Sequence, residues 1–290
     1  MDLFLQQLAN GLIIGSTYAV VALGFALAFS VLRVIHFAHP EVFMIGMFSG
    51  LMVAEWFPFG GLALAMLGGL VGAGAVGWAL ERAVIAPLRG RDVLTTLIGT
   101  LGAAIMLQNG MALIFGPDPV AYPPLLPRRF IDIGPVAVTL RQVANVGICL
   151  LLLAFVSFYV RGTRIGRATR AIAERPEVAA AFGVDVAWIC QVTILVASVM
   201  AGIAAVSVGT LYGSASAFVG LLYGLKAFIC MLVAGNRYFE GVMVVAIGLG
   251  VIEAMVTGYV SSSLRDAVGF LVLIGVLYVR PSGLFGSYQT

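Results

Sequence analysis

Two ionisable side chains stand inside otherwise apolar runs: Lys226 in LLYGLKAFICMLV and Glu253 in GLGVIEAMVTG. A charge at membrane depth is costly, so such residues mark either a path for ions or substrate or an ion pair that fixes packing. Their opposite signs favour the pair, an orientation lock in a Gly-rich bundle, with Lys226 also able to snorkel toward an interface. Ser16, Thr17 and Tyr18 form a glycine-flanked polar stretch, and Gln108 and Asn109 sit in MLQNGM. These five are candidates for lining a translocation path. Plain helix packing is the competing reading for the first three, and hydrogen bonding between helices for Gln108 and Asn109. His36 and His39 flank a turn with no third ligand nearby, so no metal site is expected. Cys149, Cys190 and Cys230 lie far apart in apolar runs and read as packing residues. The sequence has neither HExxH nor a nucleophile–base pattern, and it lacks the GxxxxGK[ST] phosphate loop. No catalytic residue and no cofactor is expected on this chain.

The elements that position these residues follow from composition. Of 290 residues, 61% are hydrophobic and 10% charged, and 36 are glycine. Soluble domains average nearer half apolar and a quarter charged. The chain therefore reads as all-α, a polytopic transmembrane bundle forming one domain over residues 1–290. Membrane lipid is its solvent and nucleic acid is not a partner. Runs long enough to span lie near 8–32, 42–57, 60–85, 93–115, 142–160, 187–211, 218–235, 241–260 and 266–279. The last is short, and 211–235 has room for a broken or re-entrant element, so eight and nine spans both stand. No basic n-region precedes the first run, so no cleaved signal peptide is expected.

One basic island interrupts the apolar chain. RGTRIGRATRAIAERPEVAAAFGVDV (Arg161–Val186) carries five arginines in its first fifteen residues. Placing it in the cytoplasm also puts Arg33, Arg82, Arg89, Arg91, Arg237 and Arg280 inside, leaving only Arg128, Arg129, Arg141 and Arg265 outside. With nine spans the N-terminus is then outside. The longest outer loop, Gly116–Gln142, is rich in proline and reads as an ordered or extended surface loop. Within the island, Thr163 can cap a helix starting at Arg164, Pro176 opens a second short helix, and Gly183 stops it. Ile165, Ala168 and Ile172 share one face of the first helix, while Arg164, Arg167, Arg170 and Glu174 cover the rest. A solvated loop whose arginines enforce topology and a docking element both fit this spacing.

The island resembles the cytoplasmic coupling segment of the branched-chain amino acid ABC importer permeases. The resemblance continues in order through NGLIIGSTYAVVALGFALAFSVLRVIHFAHPEVFMIG (Asn10–Gly46), APLRGRDVLTTLIGTLGAAIMLQNGMALIFG (Ala86–Gly116), GLKAF, GVIEA and RPSGLFG, the last an ending common in the H-type subunit. It implies a permease of the bacterial inner membrane that pairs with a second, M-type permease, or forms a pore from two copies. Two cytoplasmic ABC ATPases holding ATP and Mg would power it, and a periplasmic substrate-binding protein would feed it. It implies that Arg164, Gly166, Arg167, Arg170, Ala171, Glu174, Glu177 and Gly183 form the ATPase-coupling element, and that Lys226 and Glu253 occupy positions the family also fills with Lys and Glu. The implied cargo is a branched-chain or related small apolar amino acid. Urea, short amides and small aromatic or aliphatic carboxylates are the alternatives. An ion-coupled secondary transporter fits less well, since the chain has few intramembrane carboxylates and no TVGYG filter. Two places depart from the family pattern: Pro40 stands where Gly is usual in FAHPE, and Arg237, Tyr238, Phe239 and Glu240 replace a small glycine-rich loop.

Overall fold

The computed structural model describes residues 2–134, 136–235 and 239–285. Arg237 and Tyr238 of the departing loop, and Gly286 of the C-terminal motif, lie outside the described residues. The helices are α1 (Asp2–Leu32), α2 (His39–Trp56), α3 (Gly61–Leu80), α4 (Ala86–Leu88), α5 (Val93–Phe115), α6 (Leu140–Gly162), α7 (Arg164–Glu174), α8 (Pro176–Ala181), α9 (Val186–Tyr212), α10 (Val219–Ala234), α11 (Phe239–Tyr259) and α12 (Arg265–Val279). A π-helical turn, Glu81–Ile85, carries α3 into α4 without a break.

Among the described residues, seven helices are long and apolar enough to cross a membrane, which makes this a multi-pass membrane protein. Each of the nine apolar runs is helical, but two stand apart from the seven. The helix α10 has only 16 residues, and α2 carries polar ends at His39, Glu41 and Glu55. Of the two readings of the proline-rich loop, ordered and extended, the ordered one holds in part: β2 (Phe130–Ile133) and β3 (Val136–Thr139) form an antiparallel hairpin. A second two-residue ladder joins β1 (Val120–Ala121) to β4 (Ser214–Ala215), so the all-α bundle carries a small strand cap. Proline spacing gave no register, and the pairing partner of β1 lies nearly a hundred residues away.

The helix α1 is the axis of the bundle. Every residue from Gly15 to Ala28 is buried, and α1 packs most extensively against α11, with α9, α10 and α6 around it. By contrast α5 and α12 keep most of their apolar surface exposed, as helices facing hydrocarbon do. Neighbouring helices gain no hydrophobic drive from lipid, so close approach through small residues becomes the packing force. At Gly15 and Gly250 the α1 and α11 backbones touch: a Cβ added to Gly250 would stand 2.4 Å from the Gly15 Cα.

The two short helices meet inside the bundle. Residues 33–38 turn back from the end of α1, so that His39 at the start of α2 lies beside Gly24, where an added Cβ would come 3.0 Å from its Nε2. Pro40 occupies the first turn of α2, where a missing N–H costs nothing because that donor has no intrahelical acceptor. Its ring fills the space left by Gly224 of α10, where a Cβ would stand 2.2 Å from Pro40 Cγ.

Replacing Gly250 with leucine forces α1 and α11 apart. We expect a loss of at least about 1–3 kcal/mol, read as a lower thermal midpoint in detergent. Gly275→Ala, at a position with open space around it, should leave the midpoint unchanged.

Candidate functional site

Four helices converge on one buried carboxylate. Glu253 of α11 is 0% exposed and Lys226 of α10 is 5% exposed, and the Lys226 ammonium is ion-paired with Glu253 Oε1. Tyr18 of α1 donates its hydroxyl to Glu253 Oε2 at 2.9 Å. Arg265, the first residue of α12, donates through Nε to the same oxygen at 3.3 Å and through Nη2 to the Tyr18 hydroxyl oxygen at 3.3 Å. Asp266 completes the group, with Oδ1 3.2 Å from Lys226 Nζ. Two cations face two anions, so the cluster is neutral as a whole. A buried charge is tolerated when it is paired and its remaining lone pairs are hydrogen-bonded, and Glu253 meets both conditions.

A second polar chain runs beside it. Asn145 of α6 donates to Thr17 Oγ1 at 3.0 Å and accepts from Ser207 of α9 at 2.7 Å. Ser16 returns its hydroxyl to the Ile13 carbonyl of its own helix at 2.8 Å. The structure thus brings Tyr18, Lys226 and Glu253 into contact and ties Thr17 to α6 and α9. Gln108 and Asn109 sit elsewhere, on α5, which packs chiefly on α2 and the π turn; the exposed Asn109 amide bonds back to the Ile105 carbonyl at 2.8 Å. Sequence reasoning missed Arg265, Asp266, Asn145 and Ser207 as partners. Asn145, a lone amide in an apolar run, carried a usable signal, whereas Arg265 had been counted only as an outer-loop charge.

Two cavities adjoin the cluster. One of about 280 Å³ is lined by Tyr18, Tyr212, Tyr223, Lys226 and Arg265 among others. The other, of about 540 Å³, opens at the end of the bundle that carries the hairpin. His36 and His39 are fully buried, and their ring nitrogens have no hydrogen-bond partner among the described residues. No group of three His, Cys, Asp or Glu side chains stands close enough to hold a metal among the described residues.

The basic island folds at the opposite end as two short helices. Thr163 caps α7, accepting from Gly166 N at 2.9 Å, and Pro176 begins α8. Gly183 then leaves the helix with φ +82°, a conformation that suits glycine. On α7, Gly166, Thr169 and Ile172 face inward, while Arg164, Arg167, Arg170, Ala171 and Glu174 are exposed, as is Glu177 on α8. Gly166 is a packing residue: an added Cβ would fall 1.9 Å from the Tyr159 carbonyl oxygen. The exposed face also holds an apolar spot, Val178 and Phe182, the latter 85% exposed.

The pair is clipped to the bundle at both flanks. Arg33, at the end of α1 with φ 53°, donates to the Ala173 carbonyl at 2.7 Å and to the Glu174 carbonyl. These are carbonyls at the end of α7 that lack helical donors. Arg161, just before the pair, forms an ion pair with Glu240 in the first turn of α11. Thr169 and Thr193 share a hydrogen bond at 3.1 Å that joins α7 to α9.

The geometry of the carboxylate cluster predicts strong coupling between its members. Lys226→Met and Glu253→Gln should each destabilise by roughly 3–5 kcal/mol, because each leaves a buried charge short of its partner. The double variant should lose less than the sum. A double-mutant cycle on thermal stability measures this, and additive losses would show that the two side chains act independently.

Residues 7–277 match the family described as the permease component of the branched-chain amino acid transport system. The chain is 33% identical over 294 residues to the high-affinity branched-chain amino acid transport system permease protein LivH of Salmonella typhimurium, covering 98% of this chain and 96% of that protein. It matches LivH of Escherichia coli K12 to the same extent. The corresponding permease protein BraD of Pseudomonas aeruginosa is 32% identical over the same shares of both chains. With a match over nearly its whole length, the chain belongs to the family of branched-chain amino acid transport system permease components.

Proposed function

We propose that this chain is one permease subunit of an ATP-driven importer in the bacterial inner membrane, carrying branched-chain or closely related small apolar amino acids. The observation that carries this reading is the exposed, capped and clipped helix pair α7–α8. A merely solvated loop needs no side-chain cap at Thr163, no arginine anchor from another helix and no exposed Phe182. A docking element needs all three: rigidity to transmit displacement, basic residues to pair with acidic ones, and an apolar anchor. ATP and Mg would sit on two separate ATPase subunits bound at this face, and a periplasmic binding protein would dock at the hairpin end. A second permease subunit completes the pore. Counting α2 and α10 gives nine crossings, which fits an N-terminus outside and α7–α8 inside and agrees with the arginine asymmetry. Arg164, Arg167, Arg170, Ala171, Glu174 and Glu177 form the contact face, with Gly166 and Gly183 shaping it. Tyr18 is the path residue among those of α1, and Lys226 with Glu253 locks α10 against α11. The names of the relatives support the cargo.

Topology is tested with single thiols, since the three native cysteines are buried. Ala171→Cys should react with a membrane-impermeant maleimide only after the inner face is exposed, and Pro124→Cys should react from the periplasm. Labelling of both from the periplasm overturns the orientation.

The docking role is tested by charge reversal. Arg167→Glu with Arg170→Glu keeps both positions exposed and polar, so insertion should survive. Opposed charges across a docking surface typically cost several kcal/mol. The variant should co-purify with its sister permease, lose its ATPases, and lose more than nine-tenths of leucine uptake. Normal uptake with normal ATPase co-purification would refute docking at this face.

A further inference from the structure

The two cavities at the hairpin end share a wall made by Tyr212 and Arg265, which line both. The wider one is also lined by Arg128 and Arg141, together with apolar Ile13 and Leu211. The inner one, farther along α1, presents Lys226 beneath Tyr18. Neither cavity is lined by a carboxylate among the described residues. A cationic and partly apolar lining of this kind suits the carboxylate and aliphatic tail of a small ligand, and gives a neutral amide no ionic partner.

Arg265 is the member free to act. Glu253 already holds Lys226 and the Tyr18 hydroxyl. The two bonds made by Arg265 are both 3.3 Å, longer than the ~2.7–2.9 Å of a tight charge-assisted bond. Its Nη1 makes no hydrogen bond among the described residues. The side chain is 34% exposed, on the shared wall of the two cavities. A planar guanidinium in this position can grip a carboxylate through two parallel N–H donors, a geometry lysine cannot reproduce.

We propose that Arg265 is the carboxylate receptor of the translocation path. Arg128 and Arg141 draw the anionic group into the wide cavity, Arg265 receives it at the wall, and Lys226 is the next cation inward. The proposal rests on the permease reading above and narrows it: the path selects a carboxylate, so urea and short amides are not its cargo.

The test has a readout that needs no partner subunit. The purified chain in lipid nanodiscs is treated with phenylglyoxal, and modification of Arg265 is followed by peptide mass spectrometry. Isovalerate should slow that modification at least threefold, and isovaleramide, of the same shape without the charge, should leave it unchanged. Equal protection by both compounds, or by neither, overturns the proposal. In cells carrying the whole transporter, Arg265→Gln should lower leucine uptake more than tenfold and Arg265→Lys should restore only part of it. Arg128→Gln with Arg141→Gln should raise the apparent KM with little change in maximal rate. Unchanged uptake by a correctly inserted Arg265→Gln variant also overturns the proposal. Protection by isovalerate in a transporter that carries no leucine would uphold the carboxylate receptor and sink the branched-chain cargo.

Discussion

The burial of one carboxylate dictates much of this architecture. Glu253 lies fully out of solvent on α11, where an unpaired charge would be driven to neutrality or would unfold the helix from its place. Its demand is met from three other helices: Tyr18 from α1, Lys226 from α10 and Arg265 from α12. None of the four helices can rotate or slide without breaking one of these bonds, so the cluster sets the register of helices whose apolar faces would otherwise pack in several ways. The contact of Gly15 with Gly250 lies on the same pair, α1 and α11, and lets them come close enough for the Tyr18 bond to form. In a solvent that exerts no squeezing force on apolar surface, small residues and polar bonds take over the task that the hydrophobic effect performs in water.

The same cluster stands at the boundary of the inner cavity, so the residues that hold the bundle also line open space. Lys226 and Arg265 each hold Glu253 and each face open space. On the proposed carboxylate path, an anion at Arg265 would compete with Glu253 for donors, and the Lys226 pair would keep Glu253 neutralised. A lone Lys–Glu pair would have to choose between holding the bundle and meeting a ligand. A shared carboxylate with two cations can do both.

Much of this was legible in the residues. The apolar runs located every long helix, because the length needed to cross hydrocarbon is a hard constraint. Thr163, Pro176 and Gly183 fixed the ends of α7 and α8, because capping and stopping are decided by local backbone chemistry. Lys226 and Glu253 stood out because charge in an apolar run needs a reason. What stayed hidden is whatever depends on nonlocal geometry. Arg265 looked like an outer-loop charge, since sequence shows that it flanks an apolar run but not that its side chain reaches Tyr18. The β1–β4 ladder joins segments that carry no mutual signal. The carbonyl partners of Arg33 lie about 140 residues from it along the chain. The fit of Gly166 was hidden for a similar reason: the resemblance puts it in the coupling element, but only the structure shows its place against Tyr159.

Arg33 clips the far end of α1 to α7, and Gln6 near its other end exchanges hydrogen bonds with the backbone of Ala137 in the hairpin, donating at 3.1 Å and accepting at 3.0 Å. Between these attachments α1 runs unbroken for 31 residues, a rod of roughly 46 Å. Its tightest contact, Gly15 against Gly250, falls near the midpoint and is made by backbone with no side chain between. Mechanically this is a strut, tied at both ends and pinned near the middle by Gly250 and by the Tyr18–Glu253 bond. The α7–α8 face and the hairpin are thereby joined by a single helix, with no loop between the two attachments.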